Sequence, residues 1–135
     1  MKVRELTADE VVFSLKIEED DLPMDFDSGD KERDGQLRRE LKDRLADGDL
    51  WAWCTVVVTA QWKDWKGEDT LGGCSYKDEA DFRQDDGYFG DMKDRALEDL
   101  NKGIARTAET IEELLEKGID VKPLAVKFER QMGGG

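Results

Sequence analysis

Carboxylates are the chemically reactive side chains that dominate this sequence: 34 of its 135 residues are Asp or Glu, against 21 Lys and Arg. There is no histidine, which excludes imidazole general bases, Ser-His-Asp and Cys-His nucleophile systems and histidine-ligated metals. Because carboxylates occur everywhere, no single pair is marked out for acid–base catalysis. We therefore predict no catalytic residues and no enzyme activity, with a carboxylate- and metal-dependent hydrolase as a minor alternative.

The two cysteines, Cys54 and Cys74, are twenty residues apart and form no C-x-x-C motif. A zinc site needs more ligands than two thiols provide in a chain without histidine. Cys54 falls on the apolar side of a predicted strand, so a buried free thiol is the favoured interpretation and a cross-strand disulfide is the alternative. We expect neither a metal nor another cofactor.

One segment, Asp30–Leu41, partly matches a calcium-binding loop of the EF-hand type. Oxygen ligands fall at loop positions 1, 3 and 5, and Gly35 falls at the turn position 6. Position 12 is Leu41, where a bidentate glutamate is required, and Glu40 comes one residue early. The match predicts no calcium site. A small-ligand or divalent-cation-binding domain, with this segment or the Gly72-Gly73 pair as its site, is the alternative function.

Acidic side chains in the second half of the sequence recur at helical intervals, which places them in rows. Carboxylates three or four residues apart on a helix lie about 5–6 Å from one another, close to the spacing of phosphates along a nucleic-acid strand. Such rows, with an acid-rich loop, predict contact with a basic surface of a nucleic-acid-binding host protein. Ordinary solvation of an acidic surface is the alternative. The predicted contact acids are Asp20, Asp21, Asp25, Asp27, Asp91, Asp94, Glu98, Glu109, Glu112, Glu113 and Glu116.

Trp51 and Trp53 lie on the side of a predicted strand opposite its continuous apolar face. The pair is therefore either a second layer of core, covered by a helix or by the first strand, or an exposed aromatic patch that anchors a protein partner. We include both tryptophans among the predicted contact residues, on the condition that they are exposed.

Hydrophobic periodicity defines the elements that must position these side chains. Alternating apolar residues predict strands at Val11–Ile17, at Leu50–Trp62, at Thr70–Tyr76 with a bulge or a close backbone approach at Gly72-Gly73, and at Leu124–Phe128. Helical spacing predicts helices at Gln36–Ala46, through Phe82, and from Phe89 to Leu115 with an end at Gly118. The tail strand would lie at a sheet edge, because Pro123 precedes it.

Together these elements predict one α+β domain over residues 1–135. It would be a small, mainly antiparallel sheet of three to four strands, with one long and one or two short helices packed on it. Nine acids against two basic residues predict an acidic mobile loop at 18–35,. The glycines at 133–135 predict a disordered tail. The long helix has an apolar face wide enough for a homodimer.

The net charge of −13 and the pI near 4.4 limit the partners. They argue against direct binding to nucleic acid or to an anionic membrane, since both carry negative charge. No stretch approaches the roughly 18 apolar residues of a membrane span, and the N-terminus lacks the basic-then-apolar layout of a signal peptide. We therefore expect a cytoplasmic protein.

One stretch, about a third of the chain, runs from Leu71-Gly72-Gly73-Cys74-Ser75-Tyr76 through Tyr88, Asp91-Met92 and Ala96-Leu97. This stretch resembles small proteins that phages and prophages encode, to which no catalytic signature is attached. The composition is also similar to that of acidic anti-restriction and anti-CRISPR proteins that imitate nucleic acid. These resemblances imply a non-enzymatic accessory protein, and they carry no functional residue over.

Overall fold

Strands and helices follow one another along the chain in an order that matches the predicted one until the tail. The computed structural model describes residues 1–84 and 87–133. The elements are β1 (Val12–Glu19), α1 (Lys31–Ala46), β2 (Cys54–Trp62), β3 (Trp65–Cys74), α2 (Glu79–Gln84), α3 (Tyr88–Glu116) and α4 (Lys122–Gly133). Short 3-10 turns precede β1 and β2, at Ala8–Glu10 and Leu50–Ala52.

An antiparallel sheet with the strand order β1-β2-β3 confirms the α+β prediction. β1 pairs with β2 in a register that places Leu15 opposite Val58. β2 then returns directly into β3, with Trp62 opposite Trp65. β3 therefore begins five residues before the predicted Thr70.

The hydrophobic core lies between one face of the sheet and one side of α3. The predicted apolar side of β2 is confirmed, since Cys54, Val56, Val58 and Ala60 are all buried. The helix α3 contacts both β2 and β3, so it crosses the middle and one edge of the sheet. Its buried residues recur every three or four positions, and they are Met92, Ala96, Leu100, Ile104, Ala108 and Ile111.

The long helix α3 agrees with its prediction in length and end point, since it runs over 29 residues, Tyr88–Glu116. Gly118 ends it with a φ of +76°, a conformation that glycine adopts without steric cost. The amide of Ile119 donates to the carbonyl of Leu114 at 3.0 Å, which is the six-to-one bond of a Schellman motif. Among the described residues, no helix combines the length and the apolar character needed to cross a membrane.

The prediction of a tail strand at Leu124–Phe128 is wrong, because these residues belong to α4. Alternation and helical spacing share the first and last of these positions, so five residues do not separate the two patterns. Phe128 and Met132, four residues apart, are both buried, whereas Leu124 and Val126 are about half exposed. Gly133, the first residue of the predicted disordered tail, also belongs to α4, and residues 134–135 lie outside the described part of the chain.

The acidic loop is shorter at both ends than the predicted 18–35. β1 continues through Glu19, and α1 begins at Lys31 rather than at Gln36. Asp30 caps α1, because its carboxylate accepts a hydrogen bond from the amide of Arg33 at 3.2 Å,. The acids that follow Asp30 thus stand in the first helical turn, where the helix dipole stabilises negative charge. The acidic loop is therefore residues 20–30.

β2 begins at Cys54 and not at the predicted Leu50, because Leu50–Ala52 form a 3-10 turn. The amides of Ala52 and Trp53 donate to the carbonyls of Asp49 and Leu50, both at 3.2 Å. These local bonds replace the ladder bonds that a longer strand would have made with β1. Trp51 and Trp53 consequently precede the strand instead of lying on one of its faces.

Candidate functional site

The predicted contact acids of α3 lie on its outward side. At about 100° per residue, the buried residues of α3 occupy one half of the helix surface, and the acids fall within an arc of about 100° on the opposite half. All of these acids are exposed except Glu112, which is half-buried. The structure thus joins two groups, separate in the sequence, into one row that we name the α3 acidic stripe. It consists of Asp91, Asp94, Glu98, Glu109, Glu112, Glu113 and Glu116.

Two carboxylates of the α3 acidic stripe are engaged by cations of the same chain. Lys102 Nζ lies 2.7 Å from a carboxylate oxygen of Glu98, and this hydrogen bond lowers the pKa of Glu98. The amino group of Met1 donates to Glu112. The other five acids of the stripe form no ion pair within the described residues, so they are the stronger candidates for contact with a partner.

The acidic loop lies near the N-terminal end of the α3 acidic stripe. Tyr88, the first residue of α3, lines a groove together with Phe26 and Trp53. Farther along the helix, Ile111 lines another groove with Trp65, at the hairpin end of the sheet. At about 1.5 Å per residue, the C-terminal acids of the stripe therefore lie roughly 32–42 Å beyond Tyr88 along the helix axis. The acids form an extended row and not one compact patch.

Asp20, one of the predicted contact residues, already accepts hydrogen bonds from other residues of the chain. Its carboxylate accepts hydrogen bonds from the amides of Gly73 and Leu22 and from the hydroxyl of Thr55, the last two at 2.7 and 3.1 Å. Asp20 therefore fastens the start of the acidic loop to the sheet. The other predicted loop acids, which are exposed, are Asp21, Asp25 and Asp27.

The predicted bulge at Gly72-Gly73 is confirmed, because the register of β2 and β3 shifts by one residue between Cys54 and Val56. Gly73 adopts a φ of +64° there, which disfavours any residue with a side chain. A Cβ at this position would also lie 3.4 Å from the ring of Trp53. The bulge offers its amide to Asp20, so the chain's own loop occupies the glycine pair that the alternative function assigned to a ligand.

Trp51 and Trp53 are half-buried and hold contacts within the chain, so they do not form an open aromatic patch. Trp51 packs on Phe82 with their ring centroids 5.8 Å apart, which fits the interpretation as a second layer of core. The indole N–H of Trp53 donates to the carbonyl of Leu22 at 3.0 Å, and Phe26 stands edge-on to its ring at 5.8 Å. Trp53 is thus a second fastening point for the acidic loop.

The substitution Asp20→Asn tests this fastening through its pH dependence. Burial alone would raise the pKa of the Asp20 carboxyl, but the hydrogen bonds from Gly73, Leu22 and Thr55 outweigh it and lower that pKa below its usual value. The carboxylate therefore stabilises the fold above about pH 4, and this contribution is lost as the pH falls through the folded-state pKa. We expect the variant to lose about 1–2 kcal/mol of unfolding free energy at pH 7, and the difference to shrink toward pH 3.

Urea unfolding followed by tryptophan fluorescence at both pH values measures this effect. Asp21→Asn is the matched control, because Asp21 is exposed, and it should change the unfolding free energy by less than about 0.5 kcal/mol. Equal effects of the two substitutions at pH 7 would show that Asp20 does not fasten the loop.

The segment that partly matches a calcium-binding loop is helical from Lys31 onward. Asp30 caps that helix, and Asp34, which is buried, accepts hydrogen bonds from the amide and hydroxyl of Ser28 at 3.0 and 2.7 Å. Within residues 1–84 and 87–133, no group of three or more Cys, Asp or Glu side chains is placed to hold a metal ion. The segment is therefore a capped helix and not a cation-binding loop.

Cys54 and Cys74 stand opposite each other in the β2–β3 ladder, and both are buried free thiols, as the favoured interpretation expected. Burial raises the pKa of Cys54 to about 11 and also raises the pKa of Cys74. Because the thiolate is the reactive form, neither side chain is a nucleophile near pH 7. The cysteines contribute to the core and not to the site.

Comparison of the chain with protein-family models, with curated proteins and with solved structures finds no match. The best guide to function is therefore the protein surface, and the main feature of that surface is its negative charge. Exposed carboxylates stand in a row on a helix that the sheet holds in place, and a fastened acidic loop lies at one end of the row.

Proposed function

We propose that this protein binds a basic surface of a nucleic-acid-binding host protein and blocks it, as a nucleic-acid mimic. It acts in the cytoplasm as a non-enzymatic accessory protein of a phage or mobile element, of the anti-CRISPR or anti-restriction kind. The single observation that carries the proposal is the outward α3 acidic stripe, in which the two groups of acids share one side of one helix. The exposed acids of the loop are a second contact set.

The stripe suits mimicry because the helix that carries its carboxylates is held in place before binding. The opposite side of α3 is packed on the sheet through Ala96, Leu100 and Ile104, which are all at most 1 % exposed. Carboxylates three or four residues apart on such a helix lie about 5–6 Å from one another, near the phosphate spacing of a nucleic-acid strand. A helix that is already packed loses little backbone conformational entropy on binding, so more of the interaction energy appears as affinity.

The overall charge supports the same proposal by acting at long range. A net charge of −13 on 135 residues steers the protein toward positive surfaces and raises the association rate at low salt,. It also repels nucleic acid, so the protein would compete with nucleic acid for the basic surface rather than bind to it. Binding should therefore weaken as salt is added.

Two triple variants with the same change in charge test the proposal. The stripe variant carries Glu109→Gln, Glu113→Gln and Glu116→Gln. The control variant carries Glu40→Gln, Asp43→Asn and Asp47→Asn, which are exposed positions of α1 and of its C-terminal cap. Tagged forms of both, and of the unaltered protein, are used to retain proteins from nuclease-treated bacterial lysate. The retained protein is then purified, and its affinity for each form is measured calorimetrically at 50 and 300 mM NaCl.

We expect the retained protein to be a basic nucleic-acid-binding protein that a duplex oligonucleotide displaces from the complex. Three lost ion pairs should weaken the affinity of the stripe variant by about tenfold, while the control variant keeps the affinity of the unaltered protein within about twofold. Equal affinities of the two variants, or an affinity that is the same at both salt concentrations, would exclude the proposed mimicry.

A further inference from the structure

The helix α1 carries an unpaired set of cations in an otherwise strongly acidic protein. Six of its sixteen residues are Lys or Arg, and Arg44 alone among them lies in an ion pair within the described residues, with Asp49 at 2.7 Å. The positive charge of α1 is therefore available to something outside the protomer.

Four of these cations lie on one side of α1. At about 100° per residue, they fall within an arc of about 100° that contains no carboxylate. Three are exposed and Arg38 is half-buried. The Nε atom of Arg38 is buried and has no hydrogen-bond partner in the described part of the chain, so this donor lacks an acceptor within the protomer. We name this side the α1 basic stripe, and it consists of Lys31, Arg38, Arg39 and Lys42.

The acidic loop is the neighbour of the α1 basic stripe on the molecular surface. The loop ends at Asp30, the cap of α1, and Ser28 donates two hydrogen bonds to Asp34 of α1. At the other end of the helix, Leu45 lines a groove together with Asp21. Negative and positive surfaces thus adjoin each other along the length of α1. The exposed loop acids form no ion pair with α1 in the part of the chain that the structure describes.

We propose that the α1 basic stripe of one protomer binds the acidic loop of a second copy in a two-fold symmetric dimer. A two-fold interface requires one patch that is complementary to itself. The acidic loop and the α1 basic stripe adjoin each other and carry opposite charge, so the loop of each protomer would contact the stripe of the other. Leu22 of the loop is 55 % exposed, which adds apolar area to the contact. The dimer goes beyond the proposed function: it leaves both α3 acidic stripes open to a partner, and the loop acids then contact the second copy instead of the host protein.

Charge favours a second copy over nucleic acid as the occupant of the α1 basic stripe. The segment 18–30 contains seven acids and no basic residue, and it lies beside the stripe. A phosphate backbone approaching α1 would meet those carboxylates, whereas the loop of a second copy supplies carboxylates to the cations. Two copies of net charge −13 also repel each other, so the local complementarity must exceed that repulsion at working ionic strength.

Complementary charge reversals test the dimer directly. The helix variant carries Lys31→Glu, Arg39→Glu and Lys42→Glu, and the loop variant carries Asp21→Lys, Asp25→Lys and Asp27→Lys. All six positions are exposed, and circular dichroism checks that both variants are folded. Sedimentation velocity and light scattering give the mass of each variant, of the unaltered protein, and of an equimolar mixture of the two variants. The mixture is decisive, because opposite charges face each other again only in the mixed dimer.

We expect the unaltered protein to have twice the protomer mass of 15.4 kDa, each variant alone to dimerise at least tenfold more weakly, and the mixture to return to the dimer mass. A folded mixture that stays monomeric, or an unaltered protein that is monomeric at 100 µM, would overturn the proposal. Binding of a labelled DNA duplex that only the helix variant loses would instead assign the stripe to nucleic acid. Since the helix variant keeps both the α3 acidic stripe and the loop acids, its retention of the host protein tests the proposed function separately.

Discussion

Replacing Gly67 with alanine is expected to lower the free energy of unfolding by about 3 kcal/mol or more, one of the two largest single-residue effects we expect in this protein. Gly67 pairs with Ala60 in the β2–β3 ladder and lies directly beneath α3. A Cβ added there would stand 2.3 Å from the carbonyl oxygen of Ala96 and 2.3 Å from the amide nitrogen of Leu100. Real Cβ atoms do not approach other heavy atoms this closely, so α3 would have to move away from the sheet.

The expected cost is large because the obstructing atoms belong to the backbone of α3. A side chain could rotate away from a new methyl group, but Ala96 and Leu100 are held by helical hydrogen bonds and are themselves buried. Displacing α3 would open gaps around the apolar residues that pack on the sheet, and it would also stretch the hydrogen bond from the amide of Glu68 to Asp99, now 2.9 Å. The loss therefore combines strain with lost packing.

Urea unfolding followed by circular dichroism measures this effect, with Gly103→Ala as the matched control. Gly103 lies within α3, and a Cβ there would meet no atom within 4 Å. Because alanine favours the helix over glycine, the control should raise the unfolding free energy by about 0.5–1 kcal/mol. If Gly67→Ala were as stable as the unaltered protein, the close approach of α3 to β3 would be refuted.

Truncating Phe82 to alanine is expected to lower the free energy of unfolding by about 3–5 kcal/mol. Phe82 is fully buried and is the buried residue of α2. Its ring centroid lies 5.0 Å from that of Tyr76, 5.8 Å from that of Trp51 and 6.0 Å from that of Phe89. Removing the ring would leave a cavity at the point where α2, α3 and the turn before β2 meet.

The near-ultraviolet circular dichroism of the tryptophans should change with Phe82→Ala, because Trp51 loses the ring on which it packs. Gln84→Ala is the control, since Gln84 is an exposed residue of the same helix, and it should alter the unfolding free energy by less than about 0.5 kcal/mol. A loss below 1 kcal/mol for Phe82→Ala, with unchanged near-ultraviolet circular dichroism, would show that this aromatic cluster does not support the fold.

Elements in which the hydrophobic pattern repeats many times were predictable from the sequence. The helix α3 repeats its apolar residues over eight turns, and β2 alternates over enough positions to identify its buried side, so neither pattern has a credible competitor. Local interruptions of these elements were predictable only where a residue has its own conformational preference. Examples are Gly118, which ends α3, and the Gly72-Gly73 bulge in β3. The five-residue tail pattern, by contrast, fitted a strand as well as a helix, and it became α4 because Phe128 and Met132 pack against the core.

The candidate site was predictable in composition but not in arrangement. Periodicity identified the acids of α3, and the structure adds that both groups share the side opposite the core. The sequence did not reveal that Asp20 is bonded to Gly73, 53 residues away, or that Glu112 accepts from Met1, 111 residues away. A glycine pair that interrupts a strand is a signal of a bulge, but the identity of the group that a bulge amide binds depends on how distant segments meet.

The sequence by itself determined the absence of histidine, the net charge of −13, the α+β class and the residues that face the core, because these depend on composition and on local spacing. Only the tertiary structure decided which carboxylates remain open to a partner, that Trp53 contacts the acidic loop, and that the cations of α1 adjoin that loop without pairing with it. Those outcomes depend on contacts between residues far apart in the chain. The periodicity of one segment carries no information about which distant segment will pack against it.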